Sequence, residues 1–212
     1  MTLNASGEAT LTLKHNECVT ITNLPYKTKY TVTEAQEDGF TQSASGAAGS
    51  IGANAESAAA FTNTYSASGE HALTANKILK GGTLAAGDFT FELYEGEGVQ
   101  AEKLMDSKTN AADGAVTFKT LSFTHDDVGR KTYTIREVDA GKEDIVYDEK
   151  VYTVYLDITD NGDGTLSFAE EIKTGESAVT FTNFNLHKTD VLQADSLLSE
   201  PPGKPYISLI GT

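Results

Sequence analysis

Short runs of alternating apolar and polar residues, separated by Gly, Asn and Asp turns, dominate this chain. Three of those runs carry a polar residue inside the apolar row. In His-Ala-Leu-Thr-Ala-Asn-Lys-Ile-Leu (71–79), a period of two puts Leu73, Ala75, Lys77 and Leu79 on one face. In Tyr-Thr-Ile-Arg-Glu, Glu137 is in phase with Tyr133 and Ile135, and in Val-Thr-Phe-Thr-Asn, Asn183 is in phase with Val179 and Phe181. Burying a lone Lys, Glu or Asn is costly. An amine, a carboxyl and a carboxamide converging in one core point to a reaction. The Lys77 amine attacks the Asn183 amide, ammonia leaves, and an isopeptide bond crosslinks the domain, with Glu137 as the assisting group.

The runs fall at 71–79, 88–95, 102–108, 115–120, 131–138, 150–159, 165–173 and 178–184. Helical periodicity is nearly absent, so the expected fold class is all-β. Phe89, Phe91 and Leu93 form one inward row; Tyr152, Val154, Leu156 and Ile158 form another. Asp160-Asn-Gly-Asp-Gly164 reads as a hairpin turn. The same stretch matches a calcium loop in part, so Asp160, Asp163 and Glu170 are the alternative metal ligands. Thr159 stands where such a loop starts with Asp, and no helical pattern flanks it, so the hairpin is the better reading and no metal is expected.

A repeat is visible. Lys-Tyr-Thr-Val-Thr-Glu (29–34) echoes Lys-Thr-Tyr-Thr-Ile-Arg-Glu (131–137), and Ala-Ala-Phe-Thr-Asn-Thr-Tyr (59–65) echoes Ala-Val-Thr-Phe-Thr-Asn-Phe (178–184). Residues 1–66 therefore read as the back half of the kind of domain that 67–185 forms in full. Glu34 and Asn63 stand at the equivalent positions and form an incomplete second site, because Lys14, Lys27 and Lys29 are out of phase or face away. A lysine strand from another chain, one like 186–191, would be needed to complete it. Residues 42–58, rich in Ala, Gly and Ser, read as a loose loop. The tail 186–212 is a linker, an irregular end, or the opening of a further repeat with Lys188 as its lysine.

The formal net charge of −15 has the wrong sign for a nucleic-acid or anionic-membrane surface. Cys18 is the single cysteine, which leaves no intrachain disulfide; its phase places it at solvent or an edge. No apolar run approaches the length of a membrane span, and no signal peptide precedes residue 10. The four histidines have no ligand spacing, and neither a phosphate loop nor a nucleophile elbow is present. An enzyme acting on an external substrate is the least supported class, and no cofactor is expected.

The order of motifs is informative. Asn-Lys-Ile-Leu-Lys-Gly, Gly-Asp-Phe-Thr-Phe-Glu-Leu-Tyr-Glu, Tyr-Thr-Ile-Arg-Glu, Val-Tyr-Asp-Glu-Lys-Val-Tyr-Thr-Val and Val-Thr-Phe-Thr-Asn follow one another across 67–185. This succession resembles the isopeptide-linkage domains of Gram-positive backbone pilins of the streptococcal T-antigen type, and the collagen-adhesin B-type repeats of surface proteins. Asn-Leu-Pro-Tyr-Lys-Thr-Lys-Tyr-Thr-Val-Thr-Glu (23–34) matches the second half of the same kind of domain. The resemblance implies an Ig-like (collagen-adhesin B-type) β-sandwich and a Lys77–Asn183 crosslink assisted by Glu137. It also implies an extracellular, cell-surface life, with neighbouring domains or subunits of one fibre as partners. No Leu-Pro-x-Thr-Gly sorting signal and no pilin motif supplying an intersubunit lysine are found. The alternative function is a ligand-binding repeat of an adhesin that shows loops such as 96–112 or 139–149 to a host or carbohydrate ligand, with or without calcium.

Overall fold

The computed structural model describes residues 3–53 and 55–186. Lys188 and the tail beyond it lie outside the described residues. Contacts divide the chain into two units: one holds the chain up to Gly69 with Phe123–Asp127 and Asp160–Ser167, and the other holds Glu70–Ser122, Val128–Thr159 and the described residues from Phe168 onward. Every regular element longer than a single helical turn is a strand, as the period-two pattern predicts.

In the first unit, β1 (Lys29–Thr31), β2 (Phe40–Ser45), β3 (Ala48–Ser50) and β4 (Ala60–Tyr65) form two antiparallel pairs, β1 with β3 and β2 with β4. The loose loop expected over 42–58 is corrected here: much of it is β2 and β3. Small residues hid the alternation, but the register Ser43 opposite Thr62 and Ala44 opposite Phe61 gives those backbones a hydrogen-bonding partner. Phe40, Gln42, Phe61 and Tyr65 are half-buried, so this face is only partly sealed.

β5 (Ser68–His71) pairs with β10 (Leu121–Thr124), a strand not expected from the sequence. The second unit is built on two sheets. One runs β14 (Leu166–Ile172), β13 (Val151–Asp160), β11 (Gly129–Val138), β7 (Thr90–Glu95), β8 (Leu104–Thr109). The other runs β12 (Ile145–Val146), β15 (Thr180–Asn185), β6 (Thr74–Lys80), β9 (Ala115–Thr117). Phe181 of the four-stranded sheet meets Phe91 and Tyr152 of the five-stranded sheet, with ring centroids 5.4 and 5.2 Å apart. Leu73, Phe91, Leu93, Ile135, Val154, Leu156 and Phe181 are fully buried between the sheets. Apolar burial on this scale supplies the main driving force for the sandwich.

β6 and β15, the edges of the domain in sequence, are neighbours in space and run parallel, with Lys77 opposite Phe181 and Ile78 opposite Thr182. β11 pairs with β7 so that Ile135 faces Leu93 and Glu137 faces Phe91. These two registers decide the site: they aim Lys77 and Asn183 from one sheet, and Glu137 from the other, into the same layer of core.

Candidate functional site

Five polar or charged residues are buried among the described residues: Lys77, Asn110, Thr134, Glu137 and Asn183. Two of them serve the backbone. Asn110 accepts from the Phe89 N–H and donates to the Ala85 and Ala111 carbonyls, and Thr134 bonds the Gly96 carbonyl and the Gly98 N–H. The other three bond one another.

Lys77 Nζ donates to Glu137 Oε2 at 2.7 Å, and Asn183 Nδ2 donates to Glu137 Oε1 at 2.7 Å. Both oxygens of one carboxyl are thus used, one by the amine and one by the carboxamide. The Lys77 and Glu137 side chains have no solvent exposure. The Phe89 and Phe91 rings lie 4.5 and 6.0 Å from the amine and help exclude water. Burial pushes the Lys77 amine below its ordinary value and the Glu137 carboxyl above its own, against the mutual attraction of their charged forms. The buried pair is therefore driven towards neutral amine and neutral acid.

The Asn183 carboxamide is held at both of its ends. The backbone N–H of Asp148 donates to Asn183 Oδ1 at 2.8 Å, while Glu137 touches the amide nitrogen. An N–H only donates, so this contact fixes the orientation of the carboxamide. Asp148 is itself pinned: its carboxylate accepts from the Thr182 N–H at 2.8 Å and the Lys150 N–H at 3.1 Å. No side-chain pattern announces a backbone donor, but Asp148 between Tyr147 and Glu149 is a polar break just ahead of β13, the one trace it leaves in the sequence. Lys77 is set from below by Gly114, whose carbonyl accepts the Lys77 N–H at 2.7 Å. Gly114 has φ +89°, and a Cβ there would lie 2.2 Å from the Lys77 carbonyl oxygen.

In the first unit, Glu34 and Asn63 are also brought together. Asn63 Nδ2 donates to Glu34 Oε1 at 2.8 Å, and Gln42, which the sequence reading passed over inside the supposed loop, donates through Nε2 to Glu34 Oε2 at 2.7 Å. This cluster is on the exposed side of the scale, and no lysine bonds Glu34 among the described residues.

Asp160 accepts from Tyr65 at 2.6 Å, from the Gly162 N–H at 2.8 Å and from His125 at 2.6 Å; Asp163 caps Thr165; and Glu170 pairs with His71 at 2.7 Å. All three carboxylates thus have hydrogen-bond partners within the protein, and no cluster of three His, Cys, Asp or Glu arranged to hold a metal is found among the described residues. Cys18 is exposed.

A family model described as FctA, Spy0128-like isopeptide containing domain, matches residues 73–184, more than half of the chain, and the chain belongs to that family. This match bears out the resemblance to Gram-positive pilin isopeptide domains seen in the motifs of the sequence. Residues 2–65 match a second model, described as a domain of unknown function. Among solved structures, the major pilin from Streptococcus pyogenes is similar at 18% identity, over 55% of this chain and 50% of that one, with a TM-score of 0.33. A point mutant of that pilin is similar at 17% identity over the same shares, with a TM-score of 0.34. The chain spans about half the length of these pilins. No curated protein matches it.

Proposed function

We propose that this chain is a structural module of a Gram-positive surface fibre, locked by an isopeptide bond that it forms itself between Lys77 and Asn183. One observation carries the reading: Lys77 Nζ and Asn183 Nδ2 each bond a different oxygen of the buried Glu137 carboxyl at 2.7 Å.

The chemistry follows from that contact. Lys77 gives a proton to Glu137 Oε2 and becomes a nucleophilic amine. Its Nζ adds to Cγ of Asn183, and the charge that develops on Oδ1 meets the Asp148 N–H. Glu137 gives its proton to Nδ2 and takes one back from the added Nζ, so that one proton passes in net from the amine to the leaving nitrogen and the carboxyl ends neutral. The Cγ–Nδ2 bond breaks, the Nζ–Cγ bond remains, and one ammonia leaves. The reactants are held on one rigid framework, so the step is intramolecular. It happens once per molecule, so the chain is not an enzyme.

The mechanical reasoning is equally direct. β6 and β15 are parallel neighbours, so the chain enters the domain at one end and leaves at the other. Pulling on the ends shears β6 against β15, and the Lys77–Asn183 bond takes that load in place of the β6–β15 hydrogen bonds. Family membership favours a place outside the cell, among subunits or domains of the same fibre.

Intact mass of the denatured chain tests this. The expected mass is that of the sequence less one ammonia, and Lys77→Ala and Glu137→Ala are expected to show only their substitution masses. A wild-type chain at full sequence mass would remove the crosslink.

A further inference from the structure

We infer that the Tyr147 hydroxyl receives the ammonia that leaves Asn183, and that the segment 139–149 around it is the gate through which that ammonia reaches water. The inference rests on the Lys77–Asn183 reaction proposed above and goes beyond it to the fate of the small product.

A sealed core creates the need. Asn183 has no solvent exposure, and neither do the Lys77 and Glu137 side chains. The reaction frees one ammonia inside that seal. While the ammonia stays there it can add back to the new amide, so the bond becomes permanent only once the ammonia has gone.

The walls of the site are unequal. β6, β7, β11, β13 and β15 each have a neighbouring strand on both sides. Segment 139–149 has only β12, two residues long, paired with β15. Most of the segment is exposed, yet the N–H of half-buried Asp148 lies 2.8 Å from Asn183 Oδ1. Asp148 thus links the asparagine to the surface. Further along, the segment is tied by single contacts: the Leu186 N–H donates to the Asp144 carbonyl at 2.7 Å, and Lys142 Nζ donates to the Asp88 carbonyl at 2.8 Å. A surface segment with so few ties is the first to open locally.

Tyr147 stands inside this segment. Its ring meets Phe89 edge-on with centroids 5.9 Å apart, and the same Phe89 ring lies 4.5 Å from the Lys77 amine. The Tyr147 hydroxyl oxygen is the one buried side-chain polar atom without a hydrogen-bond partner among the described residues. Leaving such a group unpaired costs stability, so its presence asks for an occupant. Burial raises this hydroxyl above its ordinary value; the Ala140 and Lys142 N–H groups pull it down without closing a hydrogen bond, and the charges of Asp139 and Glu137 add to the rise. The hydroxyl therefore lies within the field of the reacting carboxyl. A phenol O–H donates, and ammonia offers one lone pair to accept. No proton changes hands at Tyr147: the Nζ–Cγ bond has formed, the Cγ–Nδ2 bond has broken, and the nitrogen leaves as neutral ammonia. It becomes ammonium on reaching water.

Cell-free synthesis of the full chain, sampled over time by intact mass, tests this with wild type beside Tyr147→Phe, which keeps the ring and removes only the oxygen. The variant should melt at the wild-type temperature or above, because an unpartnered buried hydroxyl is gone. It should nevertheless lose its ammonia about two- to tenfold more slowly, the span that one ordinary hydrogen bond gives a rate. Amide exchange followed by NMR is the second measurement. In the wild-type chain the Asp148 N–H should exchange ahead of the Lys77 N–H, which the Gly114 carbonyl holds at 2.7 Å. Ammonia loss from Tyr147→Phe as fast as wild type, or faster, overturns the role of the hydroxyl. Slower loss with a lower melt overturns it too, since Tyr147 is then a packing residue. Asp148 exchanging with or after Lys77 overturns the gate. These outcomes leave the Lys77–Asn183 reaction standing, whereas a wild-type chain that stays at full sequence mass overturns both readings.

Discussion

Glu137 with Asn183 and Glu34 with Asn63 make the same carboxyl–carboxamide contact, yet one pair is sealed between two sheets and the other is open to solvent. The geometry of the contact is therefore common to both, and burial is what separates them. The difference is the strand beside the asparagine. β6 supplies the amine, and Ala75 within it and Leu73 just ahead of it belong to the buried apolar layer around the amine and the carboxyl.

Removing the amine should have the largest effect. Lys77→Ala leaves the 183 − 77 = 106-residue loop open, and a crosslink over such a loop contributes about 4–5 kcal/mol on the chain-entropy account. Calorimetry is expected to show the second unit melting far lower, and an unchanged melt would remove the crosslink's role. Gly114→Ala comes next. Its Cβ would collide with the Lys77 carbonyl oxygen at a positive φ, at a cost of about 1–3 kcal/mol, and it should leave a fraction of chains at full sequence mass.

Asp148→Ala tests a contact that the second unit alone shows, since no donor to the Asn63 oxygen is found among the described residues. It frees the Thr182 and Lys150 N–H groups at about 1 kcal/mol and lets the Asp148 N–H drift from Asn183 Oδ1. Cell-free synthesis sampled over time should show slower ammonia loss but the same final mass. Glu34→Gln on the exposed site should move the melting of the chain by less than about 0.5 kcal/mol, in contrast to Glu137→Gln, which should leave the chain at full sequence mass.

Acid titration gives the smallest and most selective contrast. Asp160, in the first unit, is held down to about 2, first by the Tyr65 hydroxyl, then by the Gly162 N–H and His125. A depressed carboxyl stabilises above its ordinary value near 3.8 and loses that contribution as pH falls towards 2. Glu137 in the bond-free Asn183→Ala variant has the opposite sign. Burial raises it, so its contribution is present below its ordinary value of 4.5 and is lost as pH rises through the raised value. Melting followed from pH 2 to 7 should show two slopes of opposite sign. Asp160→Asn should flatten only the acid one.

Much of this was legible in the chain. The rows holding Phe91, Leu93, Ile135, Val154, Leu156 and Phe181 fall inward as their alternation requires, because a strand facing a core has no other way to dispose of them. β2 was missed because Gln42, Ser43 and Ala44 carry no apolar alternation; its partner β4 supplies the bonding that propensity does not. β12 was missed because two residues make no pattern.

Strand phase alone places Lys77, Glu137 and Asn183 on core-facing positions, because residue phase along a strand is local. The sequence also shows that Glu34 and Asn63 repeat two of the three, because a repeat is read by comparison alone. That β6 and β15 are parallel neighbours, that the Asp148 N–H holds the Asn183 oxygen and that Gln42 bonds Glu34 came from the folded chain alone. Those facts depend on pairing and packing between segments far apart in the chain, and a period of two within one segment carries no information about which other segment lies beside it.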